Sequence, residues 1–369
     1  MKTNRYFPPL FALLILFLAA LACDDSEFVI EEDPPTPFSN NNGQDEAPPA
    51  DSSWYQIYFT DPTCPPEEER QGGLDEIIAQ DVLQAQFQVD VAAFDFDAPP
   101  IIDALIELEG KGITVRVVTD TDNEDLSSIR RLRRNGISVV TDDRSALMHN
   151  KFIVIDKQYV WMGSMNFTTN DVYCYNNNTV WLDSAELATN YTAEMDEMYD
   201  ERQFGPRSPN NTPLAKLNIN GIAVENYFAS EEKVAPILAN LVAQAQQEIL
   251  FMAFSFTNEE IGEAMLARAE DGVEVRGVFE TTGSETAFSY YTIMTEADMD
   301  NVQVRQDGNN RLMHHKVIII DRQIVVFGSF NFSASANDSN DENVLIVYDP
   351  TFTNYFIEEF NVVWSEAEQ

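Results

Sequence analysis

Basic residues are scarce in this chain of 369. Lys and Arg number 22 against 62 Asp and Glu, a formal charge of −40. That shortage argues against a protein that grips nucleic acid without regard to sequence, because such binding rests on neutralising phosphates with Lys and Arg. Cysteines number three, too few for a scaffold built on disulfides. No C-x-x-C, H-E-x-x-H or Ca-loop pattern occurs, and no glycine-rich phosphate loop, so neither a metal nor a cofactor is expected. Beyond residue 22 no apolar run is long enough to cross a bilayer. Histidines also number only three, His149, His314 and His315. Core material, by contrast, is ample. With 44% hydrophobic and 11% aromatic residues wholesale disorder is excluded, and the length suggests about two domains.

The N-terminus reads as an address. Lys2 and Arg5 precede an almost wholly apolar stretch from Pro8 to Leu21, the pattern of an export signal over residues 1–22. The ending Ala20-Leu21-Ala22-Cys23 resembles a bacterial lipoprotein signal, which implies a lipid on Cys23 and a place in the cell envelope; plain secretion is the other reading. Loss of residues 1–22 removes one Lys and one Arg and no acid, taking the charge to −42. Residues 24–53 hold nine acids, five prolines and neither Lys nor Arg. Residues 23–53 are therefore expected to be a disordered tether, spanning roughly 30 Å. Cys64 and Cys174 either pair or remain two free thiols, and the sequence does not decide which.

The rest of the chain is one unit written twice. Gln84-Ala85-Gln86 recurs as Gln244-Ala245-Gln246, and Ala93-Phe94-Asp95-Phe96 as Ala253-Phe254-Ser255-Phe256. Val115-Arg116 recurs as Val275-Arg276, His149-Asn150-Lys151 as His314-His315-Lys316, and Gly163-Ser164 as Gly328-Ser329. Apolar spacing predicts a helix around Leu74–Gln86 and Val234–Gln246 in the two copies, then a strand at Phe87–Phe94 and Ile249–Phe256. A second helix over Pro100–Lys111 and Glu259–Ala269 follows, then a buried strand at Ile113–Val118 and Val273–Phe279. Strands alternating with such helices imply βαβ units and a sheet covered on both faces. The expected architecture is α/β, with similar α/β/α halves at 54–202 and 217–369, a linker at 203–216 and a pseudo-two-fold between them.

Each half carries the pattern H-x-K-x4-D-x6-G-S-x-N. In the first it is His149, Lys151, Asp156, Gly163, Ser164 and Asn166. In the second it is His314, Lys316, Asp321, Gly328, Ser329 and Asn331. This doubled motif resembles that of the phospholipase D superfamily, and the likeness extends from about Trp54 to Trp364. The residues support it independently. Side chains alternate along a strand, so His and Lys two apart point the same way. The apolar runs Phe152–Ile155 and Val317–Ile320 then place each pair at the edge of a core. Two facing halves offer two imidazoles, two ammoniums and two amides, a set suited to a phosphodiester.

The resemblance implies a metal-free reaction in which one histidine attacks phosphorus, forming a phosphohistidine, while the other protonates the leaving alcohol. Lys151, Lys316, Asn166 and Asn331 would bind the non-bridging oxygens. Twenty-eight residues after each histidine the halves differ, with Glu342 in the second and Asn177 in the first. A carboxylate there raises a histidine's pKa more than an amide does. On that ground His149 is expected to be the nucleophile and His314 the acid, oriented by Glu342. Asp156 and Asp321 are expected to brace the fold. Ser164 and Ser329 either bond phosphate or shape a turn. His315 is expected to be a bystander, and the Phe94/Phe96 and Phe254/Phe256 pairs to form core and cleft wall.

The leading expectation is a monomeric, envelope-located phospholipase D that releases phosphatidic acid and a head group from phospholipid. A nuclease of the same superfamily must overcome the acidic charge. A cardiolipin synthase-type phosphatidyltransferase is a third reading, although such enzymes usually carry transmembrane helices. A catalytically dead binding protein is disfavoured by two intact motifs.

Overall fold

The computed structural model describes residues 54–367; the expected signal, Cys23 and the tether lie outside the described residues. Each half is built on one mixed sheet. In the first, the strand order is Tyr55–Phe59, Asn178–Asp183, Tyr159–Gly163, Lys151–Ile155, Gln88–Ala93, Thr114–Thr119, Ser138–Thr141. The second repeats this arrangement around Lys316–Ile320 and adds Lys216–Ile219 beside Ile222–Ala229. The sequence pattern foresaw the parallel crossovers, Gln88–Ala93 to Thr114–Thr119 and Glu248–Ala253 to Glu274–Phe279. It did not foresee that both motif strands run antiparallel to their neighbours.

With the strand that follows, the reason is a tight turn after each motif strand. Asp156 and Lys157 both have positive φ, 51° and 54°, as do Asp321 and Arg322, 51° and 57°. That is the two-residue geometry that returns a strand alongside itself, and Asp tolerates it better than most residues.

Period-2 alternation explains the layering. Phe152 and Val154 face a core shared by both halves, while Ile153 and Ile155 face the first half's own outer core. Val317 and Ile319 face the shared core, and Ile318 and Ile320 the second outer core. Helices Ala185–Asp196 and Pro350–Glu366 lie in the shared layer, contributing Leu187, Tyr191 and Met195, and Phe352, Phe356 and Phe360. Two further apolar layers sit under Leu74–Val82 with Pro99–Lys111 and under Val234–Val242 with Glu259–Glu270. One body therefore contains both halves. The expected linker is not free chain: Gly205 donates its backbone N–H to Asp341, and Lys216 already belongs to a strand.

Cys64 and Cys174 form a disulfide. Cys174 ends the five-residue helix Thr169–Tyr173, and Cys64 donates its N–H to Tyr173 O at 2.7 Å. The bridge ties this helix to the segment after the first strand.

His315 is built into the seam between the halves. Its Nδ1 accepts from Asn178 Nδ2 of the first half (2.9 Å) and its Nε2 donates to Glu359 (3.1 Å). The first half mirrors this: Asn150 accepts from Asn343 Nδ2 (2.9 Å) and donates to Glu194 (3.0 Å). Both central motif residues are fully buried and stitch one half to the other. His315→Ala should destabilise the fold by about 2–3 kcal/mol, since it strands buried polar partners. His315→Asn, which copies the first half, should cost less than about 1 kcal/mol on the same scale. Urea unfolding of the two variants checks this.

Candidate active site

The motif strands begin at the cleft between the halves. His149 and His314 are each 5% exposed, and Lys151 and Lys316 each 1%. Lys151 Nζ donates to His149 O (2.7 Å) and Lys316 Nζ to His314 O (2.6 Å). Each ammonium also lies over an aromatic ring, Lys151 over Phe94 and Lys316 over Phe254. Those same rings stand edge-on to His149 and His314, at 5.0 Å and 4.9 Å between centroids. Phe94 and Phe254 are thus cleft wall, while Phe96 and Phe256 are core.

The orienting partners cross between halves. His149 Nδ1 meets Glu342 Oε2 at 2.7 Å, and His314 Nδ1 meets Asn177 Oδ1 at 3.0 Å. The expected pairing of Glu342 with His314 is therefore wrong. Chain order suggested a partner within the same half, but the topology supplies it from the other. His149 N donates to Asp341 O, while Leu312-Met313 pairs in parallel with Tyr175-Asn176. These short cross-half contacts set residue 342 beside 149 and residue 177 beside 314.

Each motif serine fixes such a partner. Ser329 Oγ donates to Glu342 Oε2 (2.7 Å), and Ser164 Oγ donates to Asn177 Oδ1 (2.9 Å). Each then accepts a backbone N–H, from Asn343 and Asn178, both at 3.0 Å. With its single proton committed, neither hydroxyl donates to phosphate. The preceding glycine is required by packing. A Cβ on Gly163 would stand 2.4 Å from Asn178 O, and one on Gly328 2.2 Å from Asn343 O.

The motif aspartates point to turns instead. Asp156 accepts the N–H groups of Gln86, Phe87 and Gln88 at 2.7, 2.9 and 3.0 Å. Asp321 accepts those of Gln246, Gln247 and Glu248 at 2.8, 2.7 and 3.1 Å. Asn166 Nδ2 donates to Asp171, and the Oδ1 atoms of Asn166 and Asn331 are buried without a hydrogen-bond partner.

Burial governs the charges. It pushes His149 down to about 4, with Glu342 opposing and Lys151 adding to the fall. It pushes His314 down to about 3, helped by Lys316 and opposed by Asp171. Lys151 falls to about 8 and Lys316 well below its usual range, burial being the main cause in both. Burial raises Glu342, but His149 and Lys151 outweigh it and hold the carboxyl below its ordinary value. At neutral pH the cleft therefore holds neutral imidazoles, an ionised Glu342 and a charged Lys151, an arrangement suited to an anion.

A second acidic region lies behind Asn150. Burial raises Glu231 to about 9, with Asp341 and Glu232 contributing, and raises buried Glu194 well above its usual range. In the unfolded chain Glu231 deprotonates near its ordinary value, about 4.5. The folded chain keeps that proton until about pH 9. This contribution to stability is therefore complete below the unfolded pKa and is lost as pH rises through the folded one. Glu231→Gln should flatten the fall in Tm between pH 5 and pH 9, measured by thermal unfolding against the unaltered chain.

A duplicated α/β fold with one cleft composed from both motifs defines the class. The family described as "Cardiolipin synthase, PLD-like domain" matches twice, over residues 78–199 and 238–364. The chain belongs to that family, within the phospholipase D superfamily. It is similar to proteins named mitochondrial cardiolipin hydrolase. The one from Mus musculus is 31% identical over 139 residues, 38% of this chain and 61% of that protein. The one from Chlamydomonas reinhardtii is 32% identical over 208 residues, 50% of this chain and 91% of that protein. Matches to the mammalian proteins thus span less than two thirds of their length. Among solved structures, phosphatidylserine synthase of Haemophilus influenzae Rd KW20 has the same fold. Its TM-score is 0.63 at 14% identity, covering 85% of this chain and 87% of that one.

One side chain of the cleft escaped the sequence reading. Asp171, buried on the helix Thr169–Tyr173, has Oδ1 3.5 Å from His314 Nδ1. Two signals could have found it: its place three residues after Thr168, an N-cap spacing, and its replacement in the second copy by Ala336.

Proposed function

We propose that this protein is a phosphodiesterase that hydrolyses phospholipids to phosphatidic acid and a free head group through a phosphohistidine. One observation carries the reading. Two H-x-K edges from opposite halves meet with each imidazole's Nδ1 held across the interface. A ring bound at Nδ1 as donor presents the lone pair of Nε2, the form a nucleophile needs. The names of the relatives favour a lipid phosphodiester, and the acidity of the chain disfavours a nucleic acid.

His149 is the nucleophile in this scheme. Attack through Nε2 makes its ring cationic, and Glu342 at 2.7 Å stabilises that charge. This assignment rests on Glu342 standing behind His149, whereas the sequence pattern suggested a carboxylate behind the acid. His314 Nδ1 meets the amide of Asn177 rather than a carboxylate, so its cation is the less directly stabilised of the two and the readier proton donor. A bound phosphodiester anion offsets the field of Lys151 and Lys316, letting His314 take up the proton it hands to the leaving alcohol. Lys151, Lys316 and the amides of Asn166 and Asn331 hold the non-bridging oxygens. His314 then acts as base toward water. We propose further that Cys23 carries a lipid, holding the folded body beside a bacterial membrane in the cell envelope.

The test offers the full chain, in EDTA, phosphatidylcholine, phosphatidylethanolamine or cardiolipin vesicles, and separately single- and double-stranded DNA. Release of head group or phosphatidic acid without DNA cleavage is expected. Cleavage of DNA alone sinks the lipid reading. A primary alcohol added to the lipid reaction should yield the transphosphatidylation product, as a shared covalent intermediate requires.

A further inference from the structure

The two histidines do not receive equal help from their direct partners. His149 has a carboxylate, Glu342; His314 has an amide, Asn177. The repeat register equates these two positions, so a charge is missing from the first half. The structure contains a replacement. Asp171 accepts from Asn177 Nδ2 at 3.1 Å and approaches His314 Nδ1 to 3.5 Å. It also accepts from Asn166 N (3.0 Å) and from Thr168 Oγ1 (2.7 Å). At the equivalent place in the second half stands Ala336, which has no charge to offer.

We infer that Asp171 is the positioning residue for His314, supplying through and beside Asn177 the negative charge that Glu342 supplies directly to His149. The inference rests on the phosphodiesterase reading above.

Geometry explains why acid and amide occur together. Were residue 177 also a carboxylate, two anions would face each other at hydrogen-bond distance in a buried site, which is strongly unfavourable. As an amide, Asn177 donates to Asp171, and this bond fixes which end of the amide meets the imidazole. Its oxygen then accepts from both Ser164 and His314. The result is a chain, carboxylate to amide to imidazole, that keeps His314 protonated at Nδ1. The shift on Asp171 agrees: burial would raise it, but His314 and Thr168 bring it below its usual value.

A helix of five residues does not hold its own place in water. This one is held by the Thr168 cap, by the Cys64–Cys174 bridge at its end, and by the bond from Cys64 N to Tyr173 O. The carboxylate is thereby stationed without reliance on the substrate.

The test moves the charge rather than deleting it. Asp171→Asn removes the acid at nearly constant shape. The double variant Asp171→Asn/Asn177→Asp keeps an acid–amide pair and puts the carboxylate on the residue that touches His314. Activity is read on bis(p-nitrophenyl) phosphate, which needs neither a lipid nor a nucleic-acid site, using the full chain. Asp171→Asn should lower kcat by about 10²-fold, on the scale of a misplaced general acid–base group. The double variant should recover most of it.

The groups facing His314 are Asp171, Lys316 and Lys151. With Asp171 neutral, only the two cations act on the ring, so His314⁺ gives up its proton more readily. On this substrate His314 is needed as the base toward water, so the acid limb of kcat should move to lower pH in Asp171→Asn and return in the double variant. An independent readout comes from the imidazole ¹⁵N resonances, of which three histidines give a small set. His314 should be protonated at Nδ1 in the unaltered chain and lose that preference in Asp171→Asn. Unchanged ¹⁵N signals, or a loss of kcat that the double variant does not repair, overturn the inference. An unaltered chain that hydrolyses no phosphodiester overturns the proposed function instead, while the ¹⁵N measurement still decides the role of Asp171.

Discussion

His314→Ala should release a burst of about one nitrophenol per active site from bis(p-nitrophenyl) phosphate and then nearly stop. Nitrophenolate leaves without a proton, so loss of the acid does not block the first step. The second step needs a base to activate water, and by microscopic reversibility the same side chain supplies it. The phosphoryl group should consequently remain on the protein, on the peptide containing His149. Steady turnover should drop by about 10³-fold or more, the range for loss of a general acid–base group. His149→Ala should give neither burst nor label, since no nucleophile remains. A label found on the peptide containing His314 in His149→Ala would reverse the two roles.

Asp156→Ala and Asp321→Ala should have the largest effects on stability while leaving the kcat of folded protein nearly intact. Each carboxylate ends three backbone N–H groups that begin the neighbouring strand. Unpartnered buried donors cost about 1–3 kcal/mol each, but Gln86 and Phe87 are exposed, so water replaces part of the loss. Alanine also tolerates the left-handed turn at these positions poorly, by about 1 kcal/mol. A total of about 2–4 kcal/mol per site is expected from these two terms. It is read as a lower urea midpoint at unchanged slope. Asn at the same position keeps the turn and one acceptor oxygen, and should lose less. A fall in kcat of orders of magnitude at full stability would move these residues into the chemistry.

The halves were legible because duplication repeats its own alignment: His149-Asn150-Lys151 and His314-His315-Lys316 cannot be overlooked. Burial of the strands followed from Phe152–Ile155 and Val317–Ile320, where every position is apolar and alternation sends successive side chains to different cores. What sequence order could not convey was which half supplies each histidine's partner. Residues 177 and 342 are equally far from their own histidines along the chain, and only the pairing of Leu312-Met313 with Tyr175-Asn176, together with the bond from His149 N to Asp341, turns both across the cleft. The structural contacts of His315 were hidden for the same reason, because Asn178 approaches it from the other half. Asp171 was missed since a carboxylate displaced by six residues leaves the motif register while remaining beside the ring. The disulfide was undetermined because a separation of 110 residues carries no distance.

The crossing of partners has a consequence for how this molecule can fail. Neither imidazole takes its Nδ1 partner from its own half, so the two cannot be set independently. A slip of the two sheets by one hydrogen-bond length unseats both imidazoles together, and damage to the Glu342 side is felt at His149 rather than at its sequence neighbours.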